Sequence, residues 1–368
     1  MQGNRHIISR LATVIAFAAV ALSCAKTEIV TSYSSLPMKF STYTASGSGE
    51  TKADGSFVAP GQTTLPDSTS FGVFAFLQEG VVYSYTGIWA DLDTKAWKPE
   101  FMFNEEVLFD GTDYSYSPIR YWPYNEENTI SFWAYYPYGA WSADNSSALK
   151  FYAADGSTAY SNACTDGLPI VEYTVDTDPD NQVDLLFDSF TMKDKTYGNC
   201  APTRGVVDLN FRHALALVEF RIVEGTGADV NNFSVSDLYW KGTCANPAST
   251  PIAWTVDTSS ADDFSVTNVN LSTTTTVAEL IVIPQTLAST AEVGITYDIL
   301  FASSDPDHPD PIVYSNNSGT ALLTTAGITE WQAGKHYVYN ITAGFERIEF
   351  SAAVASDWTI GANDIPVQ

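Results

Sequence analysis

The chain has 368 residues, 45% of them hydrophobic, which is enough for two domains with buried cores. Its 17 Lys and Arg against 43 Asp and Glu give a net charge of −26. That sign excludes a nucleic-acid binder, whose affinity comes from neutralising phosphate, and disfavours docking on anionic lipid. Aromatic residues make up 13% and charged residues only 16%. Helix-rich proteins need more Glu and Lys on their exposed faces, whereas aromatic side chains suit pleated, half-buried surfaces, so the composition favours β structure.

Residues 1–23 read as an export signal. Arg5 and Arg10 precede the apolar run Leu11–Leu22, which only Thr13 interrupts. A run of about a dozen residues is shorter than the ~20 that a membrane-spanning helix needs. Ala21-Leu22-Ser23-Cys24 follows. It resembles a bacterial lipobox, although the usual leucine position holds Ala21 and the leucine is Leu22. Cys24 is therefore the expected lipid attachment site. A thioether anchor needs a thiol at the new N-terminus, and each buried acyl CH₂ contributes about 0.8 kcal/mol.

Residues 24–70 comprise this lipidated N-terminus, a first strand around Leu36–Phe40 and a polar, turn-rich loop, Ala45–Gly61. Residues 71–200 form the expected N-terminal β-sandwich. Phe71, Val73 and Ala75 alternate with Gly72, Phe74 and Phe76; Ile130, Phe132, Ala134 and Tyr136 share one side of a run closed by Pro137. The stretch 138–182 is rich in Asp, Ser and Tyr and reads as long loops. A polar segment, Asp188–Arg204, then marks the boundary. Residues 205–368 form the expected C-terminal β-sandwich. Val207, Leu209 and Phe211 share one phase, and Val218, Phe220 and Ile222 share the other. A phase shift after His213 means a bulge or a tight break, because a one-residue slip turns every side chain over. Further strands cover Ala278–Ile283, Ile295–Phe301, Tyr337–Ile341 and Arg347–Val354. No stretch beyond the signal has a clean 3.6-residue period, so the fold class is all-β: two tandem β-sandwich domains.

No catalytic constellation stands out. The histidines are His6, His213, His308 and His336. There is no HExxH, no GxSxG elbow and no P-loop, and with so many acids, chance carboxylate pairs carry no signal for glycoside hydrolysis. His213 reads as a core or turn histidine bonded to local backbone; His308 and His336 read as solvated loop and strand-end residues. The protein is expected not to be an enzyme.

Two binding chemistries stay open. Asp176, Asp178, Asp180 and Asp184, with Asn181, form an oxygen-rich cluster that a structural calcium could use. The EF-hand pattern fails, because its glycine and terminal glutamate places hold Asn181 and Phe187; a solvated acidic loop is the alternative. Trp122, Trp133, Tyr135 and Trp141 could stack on sugar rings, or could be core and cross-strand pairs. Cys164, Cys200 and Cys244 fit no zinc spacing, and no essential disulfide is expected.

Several phrases occur in order: Pro118-Ile119-Arg120-Tyr121-Trp122-Pro123 with Phe132-Trp133-Ala134-Tyr135-Tyr136-Pro137; Asp184-Leu185-Leu186; Phe211-Arg212-His213-Ala214-Leu215-Ala216; Val282-Ile283-Pro284-Gln285; Trp331-Gln332-Ala333-Gly334-Lys335-His336-Tyr337-Val338-Tyr339; and Asp357-Trp358. Together they cover nearly the whole chain after the lipobox and resemble the fimbrillin-like family of Bacteroidales surface lipoproteins. The resemblance implies transthyretin-like sandwiches, delivery to the outer membrane through the lipid anchor, and a role as a fimbrial component. It implies other fimbrial subunits as partners. In pilus-forming relatives a trypsin-like protease removes an N-terminal strand, and another subunit's strand fills the groove. This chain departs from that scheme. Its first arginine after Cys24 is Arg120, and only Lys26, Lys39 and Lys52 precede Lys95 among basic residues. Lys52, in the turn-rich loop, is the expected processing site. Without a cut, the chain suits an anchor, accessory or tip subunit, adhering to a host or bacterial surface glycan or protein. A carbohydrate-binding outer-membrane lipoprotein is the second reading.

Overall fold

The computed structural model describes residues 33–44, 65–78, 98–123, 129–164, 167–188, 191–193, 206–222, 228–267, 276–301, 312–343, 348–350 and 354–358. The signal, Cys24, Lys52, Cys200 and His308 lie outside them.

In chain order the first strands are β1 (Tyr33–Pro37), β2 (Lys39–Thr44), β3 (Thr69–Gln78), β4 (Met102–Phe109), β5 (Tyr114–Ser115), β6 (Tyr121–Pro123), β7 (Thr129–Tyr136), β8 (Leu149–Tyr152), β9 (Ile170–Thr174), β10 (Leu186–Asp188), β11 (Thr191–Lys193) and β12 (Val206–His213). Then come β13 (Ala216–Ile222), β14 (Ala228–Tyr239), β15 (Lys241–Cys244), β16 (Thr255–Val256), β17 (Ala261–Thr267), β18 (Thr276–Val282), β19 (Gln285–Thr286), β20 (Glu292–Phe301), β21 (Ile312–Leu322), β22 (Glu330–Trp331), β23 (Lys335–Ala343), β24 (Ile348–Phe350) and β25 (Val354–Asp357). Apart from short 3-10 turns, the described residues hold no helix. The all-β expectation holds.

The main sheet runs β2-β12-β10-β7-β3-β4-β5, with β11 also on β7. Both its faces are covered. On one, Phe74, Trp133, Tyr135 and Phe187 pack against Leu149, Phe151, Val171 and Tyr173 of a second sheet, β16-β15-β9-β8. On the other, Phe71, Val73, Phe132, Tyr136, Leu209 and Phe211 share a core with Met38, Phe40, Phe101 and Trp122. Double coverage explains why Phe71–Phe76 is apolar at almost every position and buried at all of them. Gly72 is the exception in size, and it is required: a Cβ there would lie 2.3 Å from the Tyr135 ring.

The second sandwich faces β18-β13-β23, extended on β23 by β24 and β25, against β17-β14-β20-β21. Phe220 sits at its centre, 5.1 Å from the Phe233 ring and 5.2 Å from Tyr339.

Two features differ from the pattern-based expectation, and a third gives it a three-dimensional meaning. The stretch 138–182 contains β8 and β9, which supply half of the second sheet. They are four and five residues long, too short for alternation to rise above the polar background. The phase shift after His213 is a tight break rather than a bulge, and it carries the chain from one sandwich to the other: β12 ends in the main sheet, and β13 starts in the other sandwich. Finally, hydrogen bonding crosses the 200–205 boundary. β12 joins the main sheet, and β15 pairs with β9 through Lys241–Cys244 opposite Thr174–Val171. Pairing partners of a strand are chosen by residues distant in sequence, so composition along the chain could not show this.

Candidate functional site

The N-terminal edge of the main sheet carries the most distinctive arrangement. β2 lies parallel to β12, Lys39–Thr44 opposite Val206–Phe211, and forms one end of the sheet. Period-two alternation on this strand points Met38 and Phe40 inward, at 1% and 5% exposure, and leaves Lys39 in solvent. The Phe40 ring meets Phe71, Tyr116 and Phe132 edge-on, at 6.2, 5.3 and 6.2 Å. Backbone clamps hold the same strand: Met38 N–H donates to the Arg120 carbonyl at 2.9 Å, and Tyr116 O–H donates to the Met38 carbonyl at 3.1 Å. The Thr42 and Tyr114 hydroxyls share a hydrogen bond of 2.5 Å, and the Ser41 hydroxyl donates to Asp208. Just upstream, β1 pairs antiparallel with β6. The sequence pattern marks Leu36–Phe40 as a strand; its reception by Tyr114, Tyr116 and Asp208 has no local signal.

The four aromatic residues considered for glycan stacking are placed in the core, which corrects that expectation. Trp122, Trp133, Tyr135 and Trp141 are 3%, 0%, 0% and 4% exposed. Trp133 stacks on Phe74 and Trp141 on Phe151, and Trp122 packs edge-on against Phe132. Tyr135 O–H and Trp141 Nε1–H are satisfied by Asn104 and Asn145, both at 2.8 Å. A sheet buried on both faces leaves these rings no platform for a sugar.

The acidic cluster does not converge. Asp176 accepts the Asp178 N–H at 2.9 Å, and Asp178 caps a 3-10 turn by accepting Asp180 N–H at 3.1 Å. Asp184 turns inward, fully buried. Among the described residues no group of three or more His, Cys, Asp or Glu is arranged to hold a metal ion. The loop instead delivers Gln182, whose Oε1 accepts the Ile281 N–H at 2.6 Å and so caps the β18 edge of the other sandwich.

The histidines also have partners that spacing could not show. His213 is buried, and its Nδ1 lies 3.0 Å from Asp184 Oδ1, a carboxylate rather than local backbone. The Trp358 indole stacks on its imidazole at 3.8 Å and 10°. Around this pair Ala214 N–H donates to Leu185 O, Gly334 N–H to Leu215 O, and Trp358 N–H to Gly334 O. Phrases separated along the chain thus meet where the two sandwiches join. His336, read as a solvated strand-end residue, is only 17% exposed, and its Nε2 lies 3.3 Å from Glu219 Oε2.

Glu219 also accepts Arg221 Nε and Nη2 at 2.6 and 2.7 Å and the Thr276 hydroxyl at 2.6 Å. Burial pushes its carboxyl up, but His336, Arg221 and Thr276 together outweigh that and bring it down to about 2. A carboxyl depressed on folding stabilises above its unfolded value and loses that contribution as pH falls through the folded one. Urea unfolding of the parent and of Glu219→Gln should therefore differ most at neutral pH, by roughly 1.5–3 kcal/mol. The gap should close between about pH 4.5 and pH 2. A pH-independent gap would show that the charge is immaterial. Of the described cysteines, Cys164 and Cys244 are free, and burial raises the Cys244 thiol to about 12.

Two sandwiches, a doubly covered main sheet and an edge strand packed into its core define the chain as an all-β protein. A family model described as fimbrillin-like matches residues 62–358, and the chain belongs to that family. Fimbrium subunit Fim1C of Phocaeicola vulgatus is 24% identical over 193 residues, covering 52% of this chain and 45% of that protein. The match thus spans less than half of that relative's length. A fimbrial protein from Bacteroides vulgatus, known from its crystal structure, aligns over 88% of this chain and 100% of its own, with a TM-score of 0.58 and 18% identity. At that identity the likeness is one of fold.

Proposed function

We propose that the chain is a fimbrial component of the cell surface, non-enzymatic, held in the outer membrane by lipid on Cys24. It joins other subunits by strand addition, and the β2 edge of the main sheet receives a strand only if β2 is released. One observation carries the reading: Met38, just ahead of the edge strand β2, and Phe40, within it, plug the main core from a segment that precedes β3 in the chain. A cut after Lys52 would release β1 and β2, empty the Met38 and Phe40 sites and open the Val206–Phe211 edge to an incoming strand. An uncut chain keeps both its lipid and its closed edge. The lack of an arginine between Cys24 and Arg120 favours this state, and with it an anchor, accessory or tip role in adhesion rather than a shaft role.

The test is the intact mass and N-terminal state of the protein taken from its native outer membrane. Acylated Cys24 with the whole following chain is the expected result. A chain beginning after Lys52 would make it a polymerising subunit, and an unacylated, uncut chain would remove the anchor.

A further inference from the structure

We infer that the β21 edge of the second sandwich is a self-association site, where two copies of this chain pair antiparallel along β21. The four-stranded sheet β17-β14-β20-β21 of each copy then continues into that of the other. The inference is independent of the β2 edge and of any cut before β3.

An edge strand presents a row of unpaired N–H and C=O groups, and proteins blunt such edges by shortness, charge, proline or a covering group. Other sheet edges of this chain carry these devices. β5 and β16 are two residues long, and β24 and β25 are three and four. β17 carries Asp262 and Asp263, and Gln182 caps the β18 edge at the Ile281 N–H. On β8, Phe151 N–H donates to Asn145 Oδ1 at 3.0 Å, and the Asn145 amide donates back to Phe151 O at 2.9 Å.

β21 differs. It runs for 11 residues, Ile312–Leu322, with no charged residue and no proline. Among the described residues it pairs with β20 alone. Gly319 faces inward, against Ile348 of β24, so Ser318, Thr320 and Leu322 face outward, where they are exposed. Of the six large hydrophobic side chains exposed among the described residues, three lie on this strand: Val313, Tyr314 and Leu322.

Charge and pattern identify the occupant. The chain has a net charge of −26, so a basic partner would be drawn to its acidic surfaces, such as β17, and would gain nothing from an uncharged strand. The complement of a long uncharged edge is another, and among the described residues β21 is the edge strand of that kind. With no charge along the contact line, the repulsion between two acidic copies comes from more distant groups, which salt screens over about 8 Å. The strand pairs regularly from Asn317 to Leu322, opposite Tyr297 to Glu292, and its register shifts between Tyr314 and Asn317. Two regular runs laid antiparallel about a two-fold axis place Thr320 of each copy near that axis. Leu322 of each then reaches the shifted end of the other, where Val313 and Tyr314 are exposed. So short a pairing makes a small interface, and the dimer's dissociation constant should be on the order of 10–100 μM.

The experiment follows the full, uncut chain by sedimentation velocity over a concentration series at constant detergent. The parent should pass from monomer to dimer. Thr320→Asp and Thr320→Lys should each raise the dissociation constant at least about tenfold, because like charges then meet near the axis. Thr320 is exposed, so both variants keep the fold. An equimolar mixture of the two should dimerise at least as tightly as the parent, through an opposite-charge pair. Amide exchange along Ser318–Leu322 should slow with concentration in the parent and not in either variant alone. A parent that stays monomeric about tenfold above the expected range would overturn the site. So would a dimer that both variants leave intact, and a mixture no tighter than its components would overturn the pairing of β21 with itself.

Discussion

The Trp358→Ala chain should unfold about 3–5 kcal/mol more easily than the parent, measured by urea titration. Trp358 is 1% exposed and among the largest fully buried side chains. Its ring covers His213 at 3.8 Å, while its backbone N–H, which the substitution keeps, donates to Gly334 O at 2.7 Å. Truncation leaves a cavity beside the His213–Asp184 pair, where Asp184 Oδ2 already has no hydrogen-bond partner among the described residues. An under-satisfied buried carboxylate makes such a cavity costly. The loss should reach both sandwiches, because His213 ends a strand of the main sheet and Trp358 follows β25 of the other. Amide exchange should rise in Lys335–Val338, which β25 covers, and also in Leu186–Asp188, which pairs with β12. A change confined to β23 would show that the junction does not couple the halves.

A second large effect is expected at the N-terminal edge. Met38→Ala with Phe40→Ala removes two buried side chains from the same core, at 1% and 5% exposure. The single truncations cost about 2–5 and 3–5 kcal/mol in ordinary cores. Here the cost is capped, because an edge strand can detach before the whole protein unfolds. The double variant should therefore lose β2 locally. Amides along Val206–Phe211 should exchange faster, and limited trypsin should cut at Lys39 at least about tenfold faster, since cleavage follows the open population. Lys39 is already exposed, so only the backbone pairing protects it. Unchanged cleavage would mean that the strand is held by pairing alone and that Met38 and Phe40 are not its anchors.

The buried aromatic residues show where sequence reading stops. Trp133 and Tyr135 alternate with Phe132 and Ala134, and this pattern identifies a strand with certainty of period but not of surroundings. An exposed face and a second buried face look alike when both carry aromatics. Burial of the Trp133 and Tyr135 face of β7 was decided by β8 and β9, whose short sequences carry little signal. The same holds for the acidic loop. Five oxygen-bearing residues within a few positions suggest a cation site, but Gln182 between them is the residue that reaches another sheet.

The sequence by itself determined the all-β class, the phase of the main strands, the break after His213 and the family. Those features depend on local alternation and on short ordered phrases. Tertiary structure alone decided that β2 runs parallel on β12, that β15 and β16 complete a sheet of the first half, and that Asp184, His213 and Trp358 form one cluster. A strand's alternation states which side chains face inward, but its hydrogen-bonding edge is the same for every sequence. The choice of neighbour therefore rests on how distant side chains pack.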